Sequence, residues 1–183
     1  MNQSDEGVIP GLENKSIVVL GATGGIGVCL SKILVRAGAR VIAAGRDEAR
    51  LRELKDSLDL ETFCLDLTLE NSIDDSVKLA CDKFTGLDGM VNCIGSLLLK
   101  PAHLTKDSEW QAVIDTNLTS SFMALRAGAS AMMKSGGSIV LVSSAASQVG
   151  LASHEAISAA KGGIEGMALA AAATYARRGI RVN

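Results

Sequence analysis

Residues 21–27 read Gly-Ala-Thr-Gly-Gly-Ile-Gly, a spacing that suits the close approach of a phosphate. Gly21 permits a tight turn, Gly25 lets main chain lie against a pyrophosphate, and Gly27 allows a helix to pack close to the strand before it. A helix that opens here offers unpaired N–H groups and its positive dipole end to an anion. A glycine-rich string alone could be no more than a tight turn, so its context decides. The run 16–20 (Ser-Ile-Val-Val-Leu) precedes it, and Ile26, Leu30, Ile33 and Leu34 follow at helical spacing. A second apolar run ends in Gly45-Arg46. An acid at that point would take the 2′-hydroxyl of NAD, whereas an arginine suits the 2′-phosphate of NADP. Gly45 leaves the acidic position empty and Arg46 sets a fixed cation beside it, so the expected cofactor is NADP(H). Asp47 is assigned to capping the next helix.

The elements that must hold this turn alternate along the chain. Strands are predicted at 16–20, 40–44, 62–65, 89–93, 138–142 and 180–183. Helices are predicted at 25–37, 47–58, 71–84, 108–134 (one long helix or two in sequence) and 154–178. Such alternation implies βαβ units, and nearly continuous apolar strands imply helices on both faces. The expected fold is therefore α/β: a three-layer, doubly wound, parallel sheet of the Rossmann type spanning 15–183, behind a loose leader at 1–14. The final strand is reached only as the sequence stops, so the chain is expected to be truncated.

Composition narrows the partners. With 48% apolar and 21% charged residues in a chain of 183, the protein resembles an ordinary globular domain. A net charge of −2 and 3% aromatic residues argue against nucleic acid. No segment has the apolar length to span a bilayer, and the acidic start is unlike a secretory signal. Cys29, Cys64, Cys81 and Cys93 lack metal-ligand spacing, so no metal is expected. Each is taken as a buried small residue in a reducing, cytoplasmic setting.

Several short motifs, in order, resemble the short-chain dehydrogenase/reductase family from Lys15 to Asn183. The glycine turn matches the family's TGxxxGIG with Leu20 in place of threonine. Asp66-Leu67 matches its adenine-contacting acid. Asn92-Cys93-Ile94-Gly95 keeps the first and last letters of NNAG. Asn117 matches its helix asparagine, Ser144 its catalytic serine, Lys161 its lysine, and Arg-Val-Asn at the end its sixth-strand signature. The resemblance implies cofactor contacts at Gly21, Thr23, Gly25, Ile26, Gly27, Arg46, Asp66, Leu67, Asn92, Gly95 and Lys161. It implies catalytic roles for Ser144 in polarising a carbonyl, Lys161 in holding the nicotinamide ribose, and Asn117 in holding a water. It further implies a last strand and a substrate lid beyond Asn183, a small-molecule carbonyl or alcohol substrate, and a homo-oligomer formed through the helices bearing Asn117 and Lys161. Burial of the small residues of that last helix within the monomer is the alternative.

One departure is large. The family's catalytic tyrosine falls on Ile157, which has no proton to transfer. Tyr175, the only tyrosine, lies fourteen residues past Lys161, roughly 20 Å along a helix at about 1.5 Å per residue. His154 shares a helix face with Ile157, Ser158 and Lys161, so its imidazole is a candidate proton donor. Alternatively His154 and Glu155 simply start the helix behind a Ser153 cap. His103 is assigned to a loop. Two functions follow: an NADP-dependent oxidoreductase with an altered site, or a non-catalytic NADP-binding protein. A third outcome is a truncated product without stable function.

Overall fold

The computed structural model describes residues 9–69 and 71–183. Strands β1 (Ser16–Leu20), β2 (Arg40–Gly45), β3 (Glu61–Cys64), β4 (Gly89–Asn92), β5 (Gly137–Leu141) and β6 (Ile180–Val182) form one sheet in the order β3-β2-β1-β4-β5-β6. Every neighbouring pair is parallel. Helices α1 (Gly25–Arg36), α2 (Glu48–Ser57), α3 (Ser72–Phe84), α4 (Asp107–Ile114), α5 (Ser120–Met132) and α6 (Glu155–Tyr175) fill the crossovers. The expected doubly wound Rossmann-like sheet is thus the observed one, with each strand within one residue of its predicted bounds.

Strand periodicity sorts the side chains onto two faces. Val18, Leu20, Ile42 and Ala44 pack with residues of α3, α5 and α6, while Ile17, Val19, Val41 and Ala43 pack with α1 and α2. Burying each of these larger aliphatic side chains contributes about 1.5–3 kcal/mol. On the α1/α2 side the covering stops short: Val140 on β5 is 37% exposed and Arg181 on β6 is exposed. No described helix is long and apolar enough to cross a membrane.

Of the two forms expected for 108–134, the structure has two helices in sequence, α4 and α5, joined by a π-type turn, Asp115–Thr119. The segment is rich in side chains that compete for helix carbonyls. Asn117 Nδ2 donates to Val113 O, Ser120 Oγ to Thr116 O and Ser121 Oγ to Asn117 O, and the widened turn accommodates them. One expectation is corrected: the cysteines are not fully buried. Cys29 and Cys64 are exposed, on a helix face and a strand end that the core does not reach, and Cys93 is half-buried. Cys81 is half-buried at the edge of the core cluster that packs against α3. The predicted leader falls largely on residues 1–8, outside the described residues; its last residue meets the start of β2. Asn14 N donates to Gly38 O at 2.8 Å, and Arg40 donates twice to Asn14 O, at 3.0 and 2.8 Å.

Candidate active site

The strand order reverses direction between β1 and β4, which places the loops following them on either side of one crevice. Leu20 pairs with Asn92, and Cys93 N donates to Leu20 O at 2.9 Å, so the glycine turn and the Asn92–Gly95 turn leave the sheet together. Gly21 has φ +73°, and a Cβ there would lie 2.9 Å from the Cys93 carbonyl carbon and the Ile94 nitrogen. At Gly27 a Cβ would lie 2.6 Å from Ala22 Cα. Gly25, by contrast, faces open space, with nothing within 4 Å of a Cβ.

The turn fits a pyrophosphate on its own geometry. Gly24 caps α1 without a side-chain bond, and the first helix bond runs from Val28 N to Gly24 O. Among the described residues the amides of Gly25, Ile26 and Gly27 have no acceptor. Ile26 projects beside them, 63% exposed. Unpaired amides at a helix start, above glycine with room before it, make an anion cradle.

At the end of β2 the charges separate as expected. Asp47 caps α2 by accepting from Arg50 N at 3.1 Å, and its other oxygen is 3.6 Å from Arg50 Nε. Arg46 is exposed and has no ion-pair partner among the described residues. Arg50, which the sequence reading did not single out, donates from Nη1 to Thr23 O at 3.2 Å and ties α2 to the glycine turn. A Cβ on Gly45 would lie 2.8 Å from Thr23 Cγ2, so only glycine admits that threonine. Beyond β3, one oxygen of Asp66 accepts from Thr68 N and Oγ1 at 2.9 and 2.7 Å. These bonds hold its carboxyl below the ordinary carboxylate range. Leu67 is half-buried against the core.

Deeper in the crevice a polar network joins Asn92, Ser121, Asn117 and Ser96, with Gly95 and Lys161 beside it. Asn92 is buried; its Nδ2 donates to Ser121 Oγ at 3.0 Å and its Oδ1 accepts from Ile94 N at 3.0 Å. Ser121 in turn donates to Asn117 O at 2.7 Å. Asn117 Nδ2 also donates to Ser96 Oγ, and its Oδ1 accepts from Ser96 N. Asn92 and Asn117 therefore set the turn that carries Gly95, with Ser96 and Ser121 as partners that no motif flagged. A Cβ on Gly95 would lie 3.2 Å from Asn117 Oδ1 and 3.7 Å from Lys161 Nζ.

Lys161 is 6% exposed and donates to Val142 O at 2.7 Å. An ammonium has three hydrogens, and that carbonyl is its one acceptor among the described residues. Burial pushes its pKa down, partly opposed by the Cys93 thiol. Ser144 stands at the end of the same β5 loop, exposed, its Oγ accepting from Ala146 N at 3.2 Å. With its oxygen engaged as acceptor, the hydroxyl hydrogen is free to donate outward.

Position 157 and the start of α6 lie beside this crevice. Ile157 is 3% exposed, in an apolar cluster with Val113, Ala156 and Ala160. Ser153 is not the helix cap: it has φ +61°, and His154 takes the N-cap position without a side-chain bond. The His154 ring instead meets Ala152 O through Nδ1 at 2.7 Å. No hydrogen bond joins His154 to Ser144, Asn117 or Lys161 among the described residues. His103 is exposed on a short turn, Ala102–Leu104.

Comparison with known proteins agrees with this geometry. The profile of the family described as short chain dehydrogenase matches residues 15–183. The chain is 34% identical over 179 residues to the 3-oxoacyl-acyl-carrier-protein reductase FabG of Vibrio cholerae, covering 94% of this chain and 72% of that protein. It is 33% identical over 177 residues to a 3beta-hydroxysteroid dehydrogenase of Mediterraneibacter gnavus, covering 93% and 64%. A crystal structure of a short chain dehydrogenase from Mycobacterium smegmatis superposes with a TM-score of 0.88 at 28% identity, covering 94% and 76%. On sequence, sheet order and the crevice beside β1 and β4, the chain belongs to the short chain dehydrogenase family.

Proposed function

We propose that this protein is an NADP(H)-dependent oxidoreductase acting on a carbonyl/alcohol pair, through a site altered at position 157. The observation that carries the reading is Lys161, a buried ammonium with one protein acceptor, facing the turn that carries Gly95 across the crevice from the glycine loop. Its remaining hydrogens suit the ribose hydroxyls of a nicotinamide nucleotide. The amides of Gly25, Ile26 and Gly27 would hold the pyrophosphate, and the uncommitted oxygen of Asp66, beside Leu67, would accept from the adenine. Arg46 would meet a 2′-phosphate, with Arg50 fixing the adjacent Thr23. The bound nucleotide supplies hydride chemistry. Ser144 polarises the substrate oxygen with its free hydroxyl hydrogen, and the turn fixed by Asn117 shapes the floor of the site. Two of the relatives, a 3-oxoacyl-acyl-carrier-protein reductase and a 3beta-hydroxysteroid dehydrogenase, are by name of the same carbonyl/alcohol class.

The proton must come from elsewhere than position 157. His154, at the N-cap of α6 one turn before Ile157, is the proposed source: its Nδ1–H is held by Ala152 O, so the transferable proton would be carried on Nε2 of the imidazolium form. The buried packing of Ile157 favours a second reading, a nucleotide-binding protein without turnover. Hydride transfer from NADPH across a panel of aldehydes and ketones separates the two. Turnover that drops in His154→Ala supports the enzyme, and tight NADPH binding with none supports the second reading.

Cofactor choice has its own test. Charge-assisted hydrogen bonds contribute about 1.5–3 kcal/mol, so Arg46→Ala is expected to weaken NADPH binding about 10- to 100-fold. NADH binding, followed by titration of nicotinamide fluorescence, is expected to stay unchanged. Equal affinities of the unaltered protein for NADPH and NADH would sink the assignment. The exposed Phe122, with Arg126 5.9 Å from its ring centroid, and Leu169, 75% exposed, lie on α5 and α6. They support assembly of copies through those helices. Four free cysteines suit the proposed cytoplasmic setting.

A further inference from the structure

The loop after β5 carries Ser144 with few apolar anchors of its own, yet it is tied to α6 at two places. At the first, Ser158 Oγ donates to Ala146 O at 2.7 Å. At the second, one carboxylate gathers three donors. Ser143 Oγ reaches Glu165 Oε1 at 2.7 Å, Ser147 Oγ reaches the same oxygen, and Gln148 Nε2 reaches Oε2 at 3.3 Å. Ser143 Oγ also lies 3.3 Å from Lys161 O, one turn before Glu165 on the helix. The residues held, Ser143, Ser147 and Gln148, bracket Ser144 on both sides.

We propose that Glu165 is a positioning residue: its carboxylate clamps the 143–148 loop onto α6 and so fixes the direction of the Ser144 hydroxyl relative to Lys161. The inference rests on the reading of Ser144 as the group that polarises the substrate. The geometry favours a clamp over a surface contact in two respects. Both carboxylate oxygens are used, and every donor comes from the one loop. Three donors hold the Glu165 carboxyl below the ordinary carboxylate range, so the acceptor stays charged at neutral pH. Charge-assisted hydrogen bonds are roughly twice as strong as neutral ones. The Ala146 amide, bonded to Ser144 Oγ, reports directly on whether the loop keeps its shape.

The test compares Glu165→Ala with Glu165→Gln, the latter keeping an acceptor oxygen without charge. Hydrogen exchange at the Ala146 amide needs no turnover and is read first. Faster exchange in Glu165→Ala, largely restored in Glu165→Gln, is the expected result; unchanged exchange in Glu165→Ala overturns the clamp. In turnover assays kcat is expected to fall about 10- to 100-fold in Glu165→Ala, as for a misplaced catalytic group. The dissociation constant for NADPH is expected to stay the same. A rise in that constant with kcat unchanged would overturn the proposal, because the residue would then serve the nucleotide. If Glu165→Ala does not fold, the pair Ser143→Ala and Ser147→Ala removes donors from the loop side, and the same exchange measurement decides. A protein that shows no turnover with any substrate overturns the oxidoreductase reading alone, since amide exchange still tests the clamp.

Discussion

Replacing Ile157 by tyrosine is expected to raise turnover of a carbonyl substrate with NADPH by about 10²- to 10⁴-fold, the usual contribution of a positioned general acid. The phenol would stand on α6 one turn before Lys161, and a buried ammonium favours the phenolate, which makes the proton easier to transfer. The substitution has a structural cost. Ile157 fills a tight cluster against Val113, with Leu98, Ile114 and Leu118 around it. Adding a phenol ring there is expected to destabilise the fold by about 1–3 kcal/mol unless the ring swings into the crevice. Stopped-flow oxidation of NADPH, alongside a thermal melt, measures both. A folded, NADPH-binding variant with no gain in rate would mean that proton delivery at this position does not limit the reaction. Adding His154→Ala then tells which group does: its effect should be large in the parent and small beside Tyr at 157.

Lys161→Met is expected to have opposite effects on function and stability. Turnover should fall at least about 10²-fold, because the crevice loses its only buried cation among the described residues. Stability at neutral pH should rise by about 1 kcal/mol, or about 2–4 °C in a domain of this size. Burial lowers the folded pKa of Lys161 below its unfolded value, so at neutral pH the fold carries the burden of a charge taken out of water. That burden is relieved as pH rises through the folded pKa towards the ordinary lysine value. The advantage of the methionine variant should therefore shrink in alkaline buffer. Loss of the bond to Val142 O works against the gain. A variant less stable than the parent at neutral pH, with the deficit unchanged at high pH, would show that hydrogen bonding outweighs desolvation here.

Much of this was legible because backbone constraints leave local traces. Gly21 and Gly27 announce a turn in which a side chain meets main chain, and the strands announce themselves by apolar runs covered on both faces. Lys161 and Asn117 were reached through motif order, since neither residue type at its position carries a sign of burial. The polar partners were not legible. Ser96 meets a residue 21 positions away, Ser121 residues 4 and 29 away, and Glu165 residues 17–22 away, and a lone serine or a helical glutamate usually means only a solvated surface. The π-type turn escaped for the same reason: three side-chain bonds to helix carbonyls decide it, and hydrophobic periodicity does not see them. Likewise the cysteines were misplaced, because a general preference for burial carries no information about which helix face or strand end is left uncovered.

The pairing of β1 with β4 has a consequence for how the molecule comes together. Ser16 and Asp88, joined at the foot of these strands, are 72 positions apart in sequence. Each of the other strand pairings joins residues much closer along the chain. Closing a longer loop costs more chain entropy, so the β1–β2–β3 half and the β4–β5–β6 half can each assemble before the seam between them closes. The glycine turn belongs to the first half, and Asn92, Ser144 and Lys161 to the second. The crevice therefore exists only once the two half-sheets have met, and a nucleotide that touched both halves would hold the seam closed as well as fill it.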